Sequence, residues 1–187
     1  GLANLIDSLV VIREEIFGAD KMSFATLKKI LDSNFENDVT FREKIIQHYP
    51  KYGHANAEVD ALVPLVLECI QKACANGKIL PDDSPFIPGM FCWVIHERYG
   101  SASGATPDGR LAGFAFADGC GPAQGREIYG PTSGICSVTS WDHHCMIGGT
   151  AYNMKFNGKL FKSQESRKKL QNLVETFILQ GGFEVQV

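Results

Sequence analysis

Few side chains in this sequence combine type and spacing in a way that could do chemistry, and each has a plainer competing role. Asp142, His143, His144 and Cys145 run consecutively, and all four are metal-ligand or acid–base types. In an extended segment adjacent side chains point to opposite faces. His143, His144 and Cys145 therefore cannot share one ion without a sharp kink, and Asp142 and His143 form an acid–histidine pair only if the chain bends there. Gly119, Gly121 and Gly125 in DGCGPAQG are spaced GxGxxxG, which is not the dinucleotide fingerprint; tight turns explain them more simply than a phosphate cradle. In ATPDGR, Pro107 takes the second position of a turn and Asp108-Gly109 follows. Arg110 could clamp a carboxylate, but an arginine tying down loop carbonyls is the simpler reading. Phe91, Trp93 and His96 lie on and just after MFCWVI, where a two-residue period puts Phe91 and Trp93 on one face, as core or as pocket wall. No Ser–His–Asp order, paired-carboxylate motif or Walker loop stands out.

The elements that must hold these residues divide the chain unevenly. Residues 1–80 read as mainly helical. Leu2, Leu5, Ile6, Leu9, Ile12 and Ile16 keep helical spacing, with Gly18 as a stop. Ser23 is a natural cap for a second helix, FATLKKILDSNF, with Phe24, Leu27, Ile30 and Leu31 on one face. Thr40 caps a third, FREKIIQHY, closed by Pro50, and a fourth runs from about Glu58 to Ala75 before Gly77. Residues 81–187 read as strands, long loops and one helix. MFCWVI is expected to be a buried strand, ICSVTSW and TAYNMKF two more, and Asn157-Gly158 a turn. Ser163 caps a last helix through Leu179, and FEVQV then starts a strand with no evident partner. The tract from Gly100 to about Gly134 has no periodicity; a loop that long in a compact domain usually lines a site or packs against further protein.

Composition sets bounds on the rest. A chain of 187 residues with 44% hydrophobic and 21% charged residues has ordinary globular make-up. A net charge of −3 gives no electrostatic footprint for nucleic acid or an anionic membrane. The apolar stretch Ala61 to Ile70 is broken by Pro64 and Glu68 and is too short to span a bilayer. Six scattered cysteines without a CxxC pair, behind an N-terminus lacking signal-peptide features, predict mostly buried thiols in a reducing compartment, with no disulfide frame and no metal site.

The tract from Gly104 to Phe156 strongly resembles glycyl radical enzymes of the pyruvate formate-lyase superfamily. TPDGR (Thr106 to Arg110), Ala117-Asp118-Gly119, GPT (Gly130, Pro131, Thr132), Ser137-Val138, Asp142-His143, Gly148-Gly149 and NMKF carry the match. GLANLIDSL, ILDSNFEN and PKYG extend it through the N-terminal part. The resemblance implies an α/β fold, part of a β/α barrel that the full enzyme builds from two half-barrels. It implies a glycyl radical installed by a radical S-adenosylmethionine activase, a cysteine that relays hydrogen abstraction, and a small-molecule substrate. It also implies a homodimer and a cytoplasmic location, with a bacterial microcompartment as the variant. The family's Gly-Cys loop and RVxGY motif match nothing here, so no catalytic residue is assigned and the chain alone is expected to be an inactive piece. Pro107, Asp108, Gly109, Arg110, Gly130, Pro131, Asp142 and His143 are read as structural loop motifs. Phe91, Trp93, His96 and Thr132 are the expected substrate contacts, and the aromatic pair suggests an apolar substrate portion. The GPT, SV and DH pattern looks more like the dehydratase, decarboxylase and C–N or C–S lyase branches. A formate C-acetyltransferase and a non-catalytic binding domain of the same fold are the alternatives.

Overall fold

A computed structural model describes residues 1–19 and 21–187. Five helices come first: α1 (Leu2–Ile16), α2 (Phe24–Asp32), α3 (Val39–His48), α4 (Ala57–Asp60) and α5 (Leu62–Ala75). A short antiparallel hairpin follows, β1 (Lys78–Ile79) with β2 (Ser84–Pro85). Then come α6 (Ile95–Ser101), α7 (Pro131–Val138), a 3-10 turn at His143–Met146, β3 (Ala151–Asn153), a second 3-10 turn at Gly158–Phe161, α8 (Gln164–Leu179) and β4 (Glu184–Gln186).

β3 and β4 pair in parallel, Tyr152 opposite Val185, and α8 makes the crossover between them. Met90 adds a parallel bridge to Thr150. This β–α–β unit is the repeating element from which parallel barrels are built. Phe177 anchors α8 in the core, fully buried against Tyr152.

Capping chemistry sets several boundaries as expected. The Ser23 and Ser163 hydroxyls accept from the N–H groups of Thr26 and Ser166. Elsewhere the expectation fails for identifiable reasons. Thr40 lies inside α3, whose N-cap is Asp38. The second helix ends at Asp32 because Asn34 and Phe35 turn left-handed, at φ 54° and 61°, which buries Phe35. The fourth helix breaks at Ala61 into α4 and α5, and Asn56 caps the first piece.

Three strand expectations also need correction. MFCWVI is not a buried strand: only Met90 pairs, Trp93 turns left-handed at φ 47°, and Phe91, Trp93 and Val94 are exposed. ICSVTSW enters α7 instead, because Pro131 opens a helix after Gly130, and Ile135 and Val138, three apart, share its buried face. FEVQV has a partner in β3. Nor are the cysteines mostly buried: Cys120 is, whereas Cys69 and Cys136 are exposed and the others half-buried.

The main core joins Ile6 and Val10 of α1, Val63 and Leu67 of α5, Ile135 and Val138 of α7, Tyr152 and Phe177. Tyr52 is its polar hub. Its hydroxyl donates to the Cys120 carbonyl at 3.1 Å and accepts from Trp141 Nε1 at 3.1 Å, while its N–H donates to Asp7 at 2.8 Å. Asp7 is fully buried, and its second carboxylate oxygen has no partner among the described residues. Burial pushes its pKa from 3.8 up to about 7, against the opposing pull of the Tyr52 N–H and the Lys51 ammonium.

The native state therefore holds a proton that the unfolded chain releases over that interval. Stability should fall as pH rises from about 4 to about 7 and level off above. Asp7→Asn keeps the acceptor for Tyr52 and removes the titration. Melting temperature of wild type relative to Asp7→Asn should decline across this window, by an amount reflecting a few kcal/mol at most. Parallel pH profiles would show that the carboxyl does not titrate there.

Candidate functional site

The long tract after α6 has almost no regular structure, so its backbone groups depend on side chains for partners. Besides turn bonds within the backbone, buried Arg110 ties four carbonyls together. Its guanidinium donates to the carbonyls of Phe114 at 2.6 Å, Leu111 at 3.2 Å, Gly100 at 3.5 Å and Gly104. The same group lies 4.0 Å from the Phe116 ring centroid. Asp108 closes the other side of the turn. It accepts from Thr106 at 2.5 Å and from Asn4 of α1 at 2.7 Å, and Asn4 in turn accepts from the Ala117 N–H at 2.6 Å. Gly109 takes φ 88° beneath Arg42, whose Nε donates to the Gly109 carbonyl at 2.8 Å. Pro107 to Arg110 thus form a pinned turn that straps the loop to α1.

That strap delivers Asp118 to a corner shared with the segment before α6. Cys92 Sγ donates to Asp118 Oδ1 at 3.0 Å and lies 3.7 Å from His96 Nδ1; His96 Nδ1 is 3.7 Å from the same carboxylate oxygen. The Gly119 N–H donates to Cys92 Sγ at 3.3 Å, and Asn153 of β3 donates to Asp118 Oδ2 at 2.5 Å. Burial, and then the bond to Asp118, raise the Cys92 pKa, so the resting group is a thiol rather than a nucleophilic thiolate.

Two clefts open on this corner. One, of about 690 Å³, is lined by Phe91, Cys92, Trp93, Asp118, Asn153 and the end of β4. The other, of about 660 Å³, is lined by His96, Asp118, Asn153, Gly130 and Pro131 among others. Both are in the range of small-molecule sites. Phe91 and Trp93 stand edge to face across 6.3 Å on the first, and His96 faces the second. Thr132 does neither: it sits in the first turn of α7 and lines a third cavity of about 450 Å³ with Phe156 and Leu173. The four residues expected to contact substrate are therefore spread over three adjoining cavities.

Asp142 and His143 are not an acid–histidine pair. The chain does bend there, but Asp142 caps the 3-10 turn and pairs with exposed His144 at 2.8 Å. His143 is buried, with Nε2 2.8 Å from the Val138 carbonyl, and Nδ1 accepts from the Phe183 N–H at 3.1 Å. That bonding fixes the neutral tautomer, and burial lowers its pKa. His143 stacks on Trp141 at 4.2 Å and joins α7 to the start of β4. Gly130, at φ 81°, redirects the chain so that Pro131 can start α7.

Sequence reasoning missed Cys92 and Asp118. The available signal was a cysteine four residues before a histidine, one helical turn, but the acid lies 26 residues from the cysteine and is brought in only by the loop strap. Cys120, the one cysteine that follows a glycine, is no candidate for the family's relay. It is fully buried, bonds the Ala151 carbonyl, and has its pKa driven far up by burial.

Comparison with known proteins places this geometry in context. The sequence model described as "Pyruvate formate lyase-like" matches residues 1–100, and the one described as "Glycine radical" matches residues 116–187. The chain is 27% identical to trans-4-hydroxy-L-proline dehydratase of Clostridioides difficile over 186 residues, 100% of this chain and 23% of that protein. It is 28% identical to isethionate sulfite-lyase of Bilophila wadsworthia, over 95% of this chain and 21% of the relative. Among solved structures, the glycerol-bound B12-independent glycerol dehydratase of Clostridium butyricum superposes on 100% of this chain with a TM-score of 0.92 at 33% identity, using 23% of its own length. The chain thus spans about a quarter of the proteins it matches. Among the described residues, no helix is long and apolar enough to cross a membrane.

Proposed function

The chain belongs to the pyruvate formate lyase-like family of glycyl radical enzymes, and from that premise we propose that the longer protein is a glycyl radical lyase of the dehydratase type. The observation that carries this reading is the superposition of the whole chain on a glycerol dehydratase at 33% identity. Relatives named as hydroxyproline dehydratase, isethionate sulfite-lyase and indoleacetate decarboxylase support the lyase branches over a formate C-acetyltransferase or a non-catalytic domain.

The family's glycyl radical supplies hydrogen abstraction, relayed by a cysteine; both belong to parts of the longer protein that residues 1–187 do not match by motif. What these residues contribute is position. Phe91 and Trp93 give a rigid apolar wall for the carbon face of a small hydroxylated substrate. Cys92 and Asn153 hold Asp118 toward the same space, where it offers an acceptor for a substrate hydroxyl, and His96 lines the cleft on the other side. Thr132, in the adjoining cavity, contacts the far end of a longer substrate. Exposed Leu80, Val94, Phe114 and Leu179 are covered by the remainder of the enzyme. A radical S-adenosylmethionine activase is the partner that installs the radical, the enzyme is a homodimer, and it works in the cytoplasm or in a bacterial microcompartment.

The test is product analysis of the longer protein after anaerobic activation, offered glycerol, propane-1,2-diol, trans-4-hydroxy-L-proline, and pyruvate with coenzyme A. Loss of water from at least one hydroxylated compound is expected. Turnover confined to pyruvate and coenzyme A would replace the dehydratase with the acetyltransferase.

A further inference from the structure

We infer that Cys92, His96 and Asp118 form a binding site for a single zinc-class divalent cation. The site shares His96 and Asp118 with the cleft assigned to substrate above, but its three ligand atoms are fixed whatever reaction the cleft serves. Each residue presents a ligand atom of the right kind, a sulfur, an imidazole nitrogen and a carboxylate oxygen, and these atoms lie within 4.8 Å of one another. Zinc bonds of about 2.3 Å to sulfur and about 2.0–2.2 Å to nitrogen and oxygen, at tetrahedral angles, put ligand atoms roughly 3.4–3.6 Å apart. The sulfur–nitrogen and nitrogen–oxygen edges are each 3.7 Å. The sulfur–oxygen edge is 3.0 Å, shortened by the hydrogen bond whose proton a metal ion would displace.

On binding, the S–H bond breaks and the proton leaves to solvent, while Cys92 Sγ, His96 Nδ1 and Asp118 Oδ1 each give an electron pair to the cation. The thiolate and carboxylate together balance a 2+ charge, so the half-buried corner is left neutral. The fourth position faces the clefts and takes water.

The surroundings fit the role. Asn153 fixes the free carboxylate oxygen, and the Gly119 N–H points at the sulfur, the kind of outer bond that orients metal ligands. The alternation of sulfur, nitrogen and oxygen donors selects zinc or cobalt over magnesium or calcium, which prefer all-oxygen shells.

The experiment uses the longer protein, unactivated and without substrate, stripped with chelator and dialysed anaerobically against zinc alone. One zinc per chain is expected. Cys92→Ser and His96→Ala should each weaken binding by tenfold or more, whereas Cys69→Ser, at an exposed position, should leave it unchanged. Cobalt loaded into wild-type protein should show a thiolate-to-cobalt charge-transfer band, which tests the sulfur ligand even if the variants fail to fold. No bound zinc, zinc retained by Cys92→Ser, or cobalt binding without that band would each overturn the inference. Since no turnover is measured, failure here leaves the lyase reading standing, and failure of the lyase assay leaves this site standing.

Discussion

Replacing Arg110 with alanine is expected to remove most folded, soluble protein. Arg110 is 6% exposed and donates to four carbonyls, that of Gly100 in α6 and those of Gly104, Leu111 and Phe114 in the loop. The Gly104 and Phe114 carbonyls lose their donor, whereas those of Gly100 and Leu111 keep the N–H groups of Ser103 and Phe114; each lost bond costs about 0.5–1.5 kcal/mol, or up to about 3 where a charged donor is removed. The change also takes from the fully buried Asp108 carboxylate one of the cations that face it, leaving Arg126 and Lys51. Together these reach several kcal/mol, a large share of the roughly 5–15 kcal/mol that holds an ordinary domain. Arg110→Lys should fall between, because it restores the charge but not the planar fork that reaches several carbonyls at once. Soluble yield and melting temperature of the longer protein check the ranking wild type, Arg110→Lys, Arg110→Ala. Equal melting temperatures would mean that water satisfies those carbonyls and that the loop is not strapped by this residue.

The loop turn and most helices were legible in the sequence because their causes are local. A serine directly ahead of a helical stretch can cap it by accepting from the N–H three residues on, whatever surrounds it, and both Ser23 and Ser163 do so. The reading of Arg110 as a tie for carbonyls needed only the proximity of a glycine-rich loop. MFCWVI and ICSVTSW were misread because short apolar runs rich in branched residues carry no decisive period. Their fate is set by Trp93 turning left-handed and by Pro131 following Gly130. The same limit hid the Cys92, His96 and Asp118 corner, since Asp118 is carried in by the bonds of Asn4 to Asp108 and to the Ala117 N–H, and by its own bond from Asn153, all made across the chain. The pairing of FEVQV with β3 was likewise invisible, because a parallel partner lies a whole helix away.

Trp93 is where the account makes its sharpest functional claim. It is 76% exposed among the described residues, held left-handed, and set edge to face with Phe91 over the cleft it shares with Cys92, so it contributes little to the core. Truncating it should cost little stability but remove an aromatic contact for substrate, worth about 1–3 kcal/mol, or roughly 10–200-fold in the ratio of kcat/KM between substrates that do and do not reach that wall. The direct measurement is on activated Trp93→Ala enzyme in its longer form, with the glycine-centred electron paramagnetic resonance doublet and the substrate ranking read on one sample. A doublet as intense as in wild type together with a changed ranking is the predicted result. A doublet lost in step with activity, or a ranking left as it was, would contradict the claim that these residues shape the pocket while the radical is carried elsewhere.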